Sequence, residues 1–174
     1  VPPYMEDDRI QPVYMAREYL DLLAGLGCVD DGQGLELAAD SEAAADVTRR
    51  LDGDGPRVGI APGAAFGPSK RWPAERFAAA ADALAEAVGA QCVLITGPGE
   101  EGLRAEVLAA ARTPLQEFHG PGGPDIKTLK AVVSRLDLLV GNDSGPRHVA
   151  VAFRVPTVCI MGPTSPRYSV GPYE

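Results

Sequence analysis

Short apolar runs and amphipathic segments alternate along most of this chain. The apolar runs have the lengths of buried strands, and they lie at residues 57–61, 91–96, 115–118, 136–140 and 157–161. The segments between them carry apolar residues at helical spacing, which predicts helices at residues 73–88, 100–111, 126–134 and 144–153. Strands that alternate with helices are typical of an α/β fold, and they indicate a doubly wound, mostly parallel sheet with helices on both faces.

The first fifty residues follow a different pattern. Helical spacing at residues 14–26 predicts one helix, and residues 41–51 predict a short polar helix that Ser41 would cap. The sequence Asp-Gly-Asp-Gly-Pro that follows is a strong turn signal. We therefore divide the chain into an entry segment with helices, residues 1–54, and a main α/β domain, residues 55–174.

The composition argues against several classes of function. A net charge of −8 and an isoelectric point near 4.8 argue against a general nucleic-acid binder. No apolar stretch is long enough to span a bilayer, and the polar, acidic N-terminus does not resemble a signal peptide. Cys28, Cys92 and Cys159 are too widely spaced for a metal site or a disulfide framework, and apolar surroundings predict buried thiols at Cys92 and Cys159. We expect a cytoplasmic protein, and the start at Val1 rather than Met predicts that it is part of a longer one.

The glycine-rich and polar loops of the α/β region all follow predicted strands. They occupy residues 62–72, 97–101, 141–148 and 162–166. In open parallel sheets, ligands bind outside the carboxyl ends of the strands, where such loops meet. The sequence therefore predicts a ligand site at this edge of the sheet.

The stretch Asn-Asp-Ser-Gly-Pro-Arg-His at residues 142–148 lies where a strand gives way to a helix. An acid, a hydroxyl and a glycine at such a turn place backbone N–H groups at the positive end of the helix, which suits a phosphate. Asp143 and Ser144 would cap the helix, and Gly145 would let a ligand approach the backbone closely. The alternative is an ordinary N-cap. His148, one turn further, would either bond a phosphate or sugar oxygen or serve a structural role.

The loop before the longest helix combines a flexible backbone with a hydroxyl and two cations. Lys70 is a compact charge suited to a phosphate, and Arg71 could clamp one through two parallel bonds, although a solvated basic loop is the alternative. Trp72 is interpreted as a packing anchor at the helix start. Glu100 or Glu101, after the next strand, could accept hydrogen bonds from ribose hydroxyls or simply complement the helix dipole.

Other site chemistries find no support in the sequence. His119 precedes a Gly/Pro-rich segment and is interpreted as structural, and no pair of histidines or cysteines has metal-ligand spacing. The chain has neither a Walker P-loop nor a G-x-G-x-x-G after its first long strand. A P-loop NTPase or a standard dehydrogenase is therefore not expected.

Three motifs, in their order and spacing, resemble those of the ADP-heptose:lipopolysaccharide heptosyltransferases, glycosyltransferase family 9, and most of all the heptosyltransferase II branch. They are Pro-Gly-Ala-Ala-Phe-Gly-Pro-Ser-Lys-Arg-Trp-Pro at residues 62–73, Asn-Asp-Ser-Gly-x-x-His-Val-Ala at residues 142–150 and Gly-Pro-Thr-Ser-Pro at residues 162–166. The resemblance covers residues 57–169. It implies the GT-B fold, in which two Rossmann-like domains face a cleft, and this chain resembles the C-terminal domain, which binds the nucleotide sugar.

The resemblance also implies roles for individual residues. Lys70 would contact and stabilise the departing pyrophosphate, and Glu100 or Glu101 would bind the ribose. Four residues would hold the phosphates and the heptose, namely Asp143, Ser144, Gly145 and His148, and two more would line the same pocket, Ser69 and Thr164. Pro146 and Arg147 depart from the commoner Leu-Met or Leu-Ser, so that Arg147 would add a cation near the phosphates or face solvent.

On this resemblance the whole protein would be an inverting heptosyltransferase that moves heptose from ADP-heptose to the lipopolysaccharide inner core, without a metal or other cofactor. The acceptor site and the catalytic base would lie in an N-terminal domain outside this chain, which alone would be inactive. The protein would act in the cytoplasm, with peripheral association at the inner membrane. Three alternatives stay open: a GT-B glycosyltransferase with another sugar, a non-catalytic nucleotide-sugar binding module, and a nucleotide-sugar epimerase, against which Lys-Arg-Trp-Pro at residues 70–73 argues.

Overall fold

The computed structural model of the chain describes residues 5–6, 9–10, 13–51, 53–64, 68–118 and 125–170. Its strands are β1 (Met5–Glu6), β2 (Arg9–Ile10), β3 (Arg57–Ala61), β4 (Gln91–Leu94), β5 (Leu115–Gln116), β6 (Leu138–Asn142) and β7 (Thr157–Ile160). Its helices are α1 (Met15–Ala24), α2 (Ser41–Arg50), α3 (Ala74–Val88), α4 (Glu101–Ala110), α5 (Ile126–Val133) and α6 (Gly145–Ala152), with short 3-10 turns at Pro68–Lys70 and Pro166–Tyr168. β1 and β2 form an antiparallel pair, and the other strands form one parallel sheet in the order β5-β4-β3-β6-β7. The predicted α/β fold with a parallel sheet is confirmed.

The sheet is built around β3, which has a parallel neighbour on either side. Its sequence Arg-Val-Gly-Ile-Ala is almost wholly buried, as expected for a strand that helices cover on both faces. Gly59 at its centre is flanked by Val93 of β4 and Leu139 of β6. A Cβ atom at Gly59 would lie 2.5 Å from Cδ1 of Leu136, so a larger residue here would force this side chain to shift.

Two apolar layers cover the sheet, one on each face, because successive residues of a strand point to opposite sides. On one side, Ile60 of β3 packs in a buried cluster with Phe77 of α3 and Val107 of α4. On the other side, a second cluster joins residues of α2, α5 and α6, among them Val47 and Val133. The predicted arrangement of helices on both faces is confirmed.

Helix α2 differs from its prediction in one respect and extends the picture in another. Asp40, not Ser41, caps it, since Oδ1 of Asp40 accepts a 2.9 Å hydrogen bond from the backbone N–H of Ala43. Both residue types are favoured at this position, and the sequence alone does not choose between neighbours. Val47 of α2 is buried in the core that it shares with α5. The division of the chain after residue 54 stays a prediction, with α2 contributing to the core of the domain that follows.

Strand β6 lies later in the chain than the apolar run 136–140 predicts. The N–H of Leu136 donates to the carbonyl of Val133, so this residue completes the end of α5 instead of starting the strand. The carboxylate of Asp137 then accepts a 2.8 Å hydrogen bond from the backbone N–H of Arg57 and fixes the register with β3. As a result, Asn142 forms the last residue of the strand.

The two cysteines of the sheet differ in their surroundings. Cys92 is buried in β4 as predicted, and this burial, with the nearby Asp82 carboxylate, raises the pKa of its thiol. Cys159 is only half-buried because β7 is an edge strand of the sheet, so the prediction of a buried thiol is wrong there. In the described segments, no helix combines the length and the apolar character needed to cross a membrane.

Candidate functional site

A cavity of about 580 Å³ opens at the carboxyl ends of the parallel strands. Residues from all four predicted loops line it, together with the beginning of α5 and the 3-10 turn after β7. The predicted site residues that it brings together are Lys70, Glu100, Asp143, Ser144, Gly145, His148 and Thr164. The loops therefore converge at the edge of the sheet where open α/β folds bind ligands.

Three predicted residues lie elsewhere. Ser69 is exposed and does not line the cavity. Glu101 is also exposed and outside it; hydrogen bonds from its own backbone N–H and from that of Gly99 lower the pKa of its carboxyl. Arg71 donates from Nε and Nη2 to the carbonyl of Ala64, both at 3.2 Å, so its guanidinium braces its own loop where a ligand clamp was predicted.

Of the two glutamates, Glu100 lies in the cavity, and its carboxylate is fixed on the loop backbone. Its Oε2 accepts a 2.7 Å hydrogen bond from the N–H of Gly97. A Cβ atom at Gly63 would overlap Oε1 of the same carboxylate. The carboxylate thus sits directly against the backbone of the loop after β3, in a position that a side chain at residue 63 would exclude.

Asp143 forms the centre of a charged cluster at the cavity wall. Its Oδ2 lies 3.5 Å from Nζ of Lys70, and its Oδ1 accepts a 3.0 Å hydrogen bond from Nη1 of Arg147. Arg147 is only 2% exposed, and its Nη2 also donates to the carbonyl of Ser169 at 2.9 Å. The expectation that Arg147 faces solvent or the phosphates is therefore corrected: it lies beneath Asp143.

The start of α6 departs from the predicted capping. Ser144 is the N-cap residue, but its hydroxyl makes no capping bond and instead lies 3.4 Å from the carbonyl of Asn142. Pro146 removes one N–H that a cap would accept from, and the N–H of Arg147 bonds to the carbonyl of Ser144. The carboxylate of Asp143 instead pairs with Lys70 and Arg147. The prediction that the side chains of Asp143 and Ser144 cap this helix is therefore wrong.

The open face of this helix start is turned towards the cavity. Gly145 lines the cavity, and a Cβ atom added to it would meet nothing within 4 Å. His148 follows one turn later, half-buried and on the same wall. The first turn of α6 therefore presents the positive end of a helix dipole to the space that a ligand would occupy.

Asn142 holds the site together, which the sequence did not indicate. Its Nδ2 donates a 2.7 Å hydrogen bond to the carbonyl of Pro62, and its Oδ1 accepts one of 3.1 Å from the N–H of Trp72. The ring of Trp72 packs edge-on against Phe77 at 5.2 Å, which confirms its packing role. An amide at the carboxyl end of a central strand is the signal that could have revealed this connection.

The cavity also has an apolar wall that the motif analysis missed. It is formed by Met15 of α1, Ile95 after β4, Ile126 and Leu129 of α5, and Tyr168 of the last 3-10 turn. Asp125 caps α5, since its carboxylate accepts a hydrogen bond from the N–H of Thr128, and it also lines the cavity. His119 lies outside the described residues. Within the segments that the structure describes, no group of three or more His, Cys, Asp or Glu side chains has metal-site geometry.

A sequence profile described as glycosyltransferase family 9 (heptosyltransferase) matches residues 13–174. The chain belongs to glycosyltransferase family 9. The lipooligosaccharide heptosyltransferase 2 of Haemophilus influenzae is 34% identical over 121 residues, which are 68% of this chain and 35% of that protein. The lipopolysaccharide heptosyltransferase 2 of Escherichia coli K12 is 35% identical over 121 residues, which are 68% of this chain and 34% of that protein.

Two solved structures of the family share the fold. The glycosyl transferase family 9 structure from Veillonella parvula matches with a TM-score of 0.78 at 30% identity. The match covers 91% of this chain and 46% of the Veillonella chain. The E. coli ADP-heptose lps heptosyltransferase II has a TM-score of 0.66 at 29% identity over 76% of this chain and 41% of its own. This family 9 chain therefore spans about a third of the curated relatives and less than half of the solved ones.

Proposed function

We propose that this chain forms the donor-binding part of an inverting heptosyltransferase that transfers heptose from ADP-heptose to the lipopolysaccharide inner core. One observation carries the proposal: Lys70, Glu100 and the first turn of α6 meet in a single cavity beside an apolar wall. A nucleoside diphosphate sugar needs a cation for its phosphates, an acceptor for its ribose hydroxyls and an apolar surface for its base. The cavity supplies each of these groups at the edge of the sheet that binds ligands in such folds.

Each residue has a distinct role in this proposal. Lys70 and the positive end of α6 bind the pyrophosphate and stabilise the charge that develops as ADP departs. Glu100 accepts hydrogen bonds from the ribose. Asp143 orients Lys70 and faces the heptose side, with His148 and Thr164 on the same wall.

The reaction itself is a single displacement. The bond between the anomeric carbon and the phosphate oxygen breaks, the acceptor hydroxyl forms the new bond from the opposite face, and ADP leaves. A base supplied by a part of the protein outside this chain takes the hydroxyl proton. We propose that these residues act without a metal or other cofactor, at the cytoplasmic face of the inner membrane where the lipopolysaccharide acceptor would be met.

Calorimetric titration of the 174-residue chain with ADP, ADP-heptose, adenosine and UDP tests this proposal. We expect binding of ADP and ADP-heptose that is tighter than binding of adenosine or UDP. Lys70→Met is expected to lower the affinity for ADP about tenfold or more, which is the effect of losing one charged hydrogen bond. The affinity for adenosine should stay unchanged. Lys130→Met, which removes the same charge from a residue of α5 outside the cavity lining, is the control.

Other outcomes would change the assignment. Preference for UDP would indicate a family 9 enzyme with another donor. Tight binding of ADP-heptose by a full-length protein that never transfers the sugar would instead indicate a non-catalytic binding module. Binding of none of these ligands by the folded chain would overturn the proposed donor site.

A further inference from the structure

We propose that Arg147 is a positioning residue of the donor site, which offsets the negative charge of Asp143 so that Lys70 remains available to an anionic ligand. The inference rests on the proposed function, because it concerns the same cavity. Arg147 stands where the related motif commonly has an apolar residue or serine. It does not line the cavity, so its effect on a ligand passes through Asp143.

The distances show which cation holds the carboxylate. Arg147 approaches Asp143 to 3.0 Å, whereas Nζ of Lys70 lies 3.5 Å away, at the limit of a hydrogen bond. The side chains of Arg147 and Asp143 are 2% and 7% exposed, so water screens their interaction little. The side chain of Lys70 is 17% exposed and lines the cavity. The tighter pair is therefore the buried one, and Lys70 is the cation on the cavity side of Asp143.

The charges of the cavity explain why a second cation is needed. Of the described residues that line it, three are carboxylates, Glu100, Asp125 and Asp143, and Lys70 is the only lysine or arginine. A lysine beside one buried carboxylate forms a neutral pair and offers a phosphate little net attraction. Arg147 adds a positive charge behind Asp143, so that the group of three keeps an excess positive charge towards the cavity.

The guanidinium of Arg147 also connects two walls of the cavity. While Nη1 bonds Asp143 before α6, Nη2 donates to the carbonyl of Ser169, which lines the cavity after the last 3-10 turn. The planar guanidinium group has donors in fixed directions and can therefore bond two acceptors at once. A lysine at this position would keep the positive charge but could not keep both hydrogen bonds. Charge and geometry can therefore be separated by substitution.

The test compares ADP with adenosine, because only ADP carries the phosphates that Lys70 would bind. Arg147→Met leaves Lys70 beside a carboxylate whose charge Arg147 no longer offsets. We expect this variant to bind ADP about tenfold more weakly, while its affinity for adenosine stays constant. The double variant Asp143→Asn with Arg147→Met removes both charges of the buried pair and leaves Lys70 with its own charge, so ADP affinity is expected to recover most of that loss. Arg147→Lys keeps the charge and is expected to lose less than Arg147→Met. Arg135→Met, an exposed arginine at the other end of β6, is the control for the change in total charge.

Removal of one partner from a buried ion pair is destabilising, so the folding of each variant is followed by thermal unfolding. The double variant and Arg147→Lys avoid an unpaired buried charge and keep the comparison possible even if Arg147→Met unfolds. Unchanged ADP binding in folded Arg147→Met, an equal loss for ADP and adenosine, or a double variant that binds ADP tenfold more weakly than the unsubstituted chain would overturn the positioning role. Failure of the unsubstituted chain to prefer ADP over adenosine would overturn the proposed function, and this inference with it.

Discussion

The side-chain amide of Asn142 donates a 2.7 Å hydrogen bond to the backbone carbonyl of Pro62, and it thereby joins the carboxyl end of β6 to the loop after β3. The same side chain accepts a hydrogen bond from the N–H of Trp72 and is 1% exposed. Both ends of the loop that contains Lys70 are thus held by one residue. This connection and the two hydrogen bonds from Arg71 to the carbonyl of Ala64 together support the segment that carries the lysine.

Asn142→Ala is expected to destabilise the chain by about 2–3 kcal/mol, since it leaves a buried carbonyl and a partly buried N–H without their partners. The free energy of unfolding in urea measures this. ADP affinity should fall as well, because Lys70 loses its support. A loss below 0.5 kcal/mol, the usual range of surface changes, would mean that the amide does not hold the loop.

Asn142→Asp tests the same bond through pH. The carboxylate could still accept from Trp72 but would face the Pro62 carbonyl without a proton to donate, and burial would raise its pKa. The protonated form of this aspartate is therefore favoured in the folded state. The loss in the free energy of unfolding of Asn142→Asp, relative to the unsubstituted chain, should be largest at neutral pH and shrink as the pH falls through the raised pKa.

The sequence predicted the loops that meet at the cavity but not how they are tied to one another. Strands, helices and the edge of the sheet follow from hydrophobic spacing, which acts locally. The role of Asn142 depends on where β6 ends, and the prediction ended the strand at Val140 because Gly141 and Asn142 are not apolar. Both residues nevertheless pair with β7, and hydrophobicity alone does not reveal such pairing.

Arg147 shows a second limit of sequence reasoning. It forms an ion pair with Asp143, which precedes α6, so helical spacing does not predict this contact. Its burial depends on the distant segment around Ser169, which supplies the second acceptor. A long-range contact of this kind has no local signal, so the sequence left open whether Arg147 faces a ligand or the solvent.

The carboxylate of Asp82 makes the stability of the domain depend on pH. It is buried on α3, and hydrogen bonds from the N–H of Thr113 and from the side chain and N–H of Arg112 hold its pKa below the usual value. A lowered pKa in the folded state stabilises the protein above the unfolded value near 4 and loses this effect as the pH falls through the lowered pKa. Asp82→Asn should therefore cost about 1.5–3 kcal/mol at neutral pH, the range for hydrogen bonds to a charged group.

Urea unfolding at pH 7 and at intervals below pH 4 measures this difference. The deficit of Asp82→Asn is expected to shrink as the solution is acidified. Glu86→Gln, an exposed acid on the same helix, should show little effect at any pH. A deficit for Asp82→Asn that is constant across this range would point to packing as its cause.

Gly63 is expected to control the position of the Glu100 carboxylate. A methyl group at residue 63 would overlap Oε1, and the flexible glutamate side chain would move away from the N–H of Gly97. Gly63→Ala should cost only about 1 kcal/mol in stability, the worth of one hydrogen bond. Because the ribose would lose its acceptor, adenosine should bind Gly63→Ala more weakly, while free adenine is unaffected.

Glu100→Gln provides the comparison, since it leaves the loop unchanged and weakens the acceptor. If Gly63→Ala and Glu100→Gln act on the same contact, their losses should not add. The double variant should then bind adenosine about as well as whichever single variant has the lower affinity. Additive losses would show that Gly63 affects the ligand by another route.

Gly145 offers the sharpest separation of binding from folding. It is the first residue of α6 and lines the cavity, and a Cβ atom there would meet nothing within 4 Å of the protein. Gly145→Ala should therefore leave the free energy of unfolding unchanged or raise it slightly, because alanine is the better helix former. The methyl group would instead occupy the space through which a phosphate approaches the N–H groups at the helix start, so ADP affinity is expected to fall about tenfold.

Gly102→Ala is the matched control for this helix start. Gly102 also lies in the first turn of a helix, α4, with open space around its Cβ position, but it does not line the cavity. Both variants should unfold like the unsubstituted chain, and only Gly145→Ala should lose ADP affinity. If Gly145→Ala binds ADP normally, the phosphates do not approach the start of α6. Weaker binding by both would mean that the loss comes from a general effect on the helices, because both glycines lie in the first turn of a helix but only Gly145 lines the cavity.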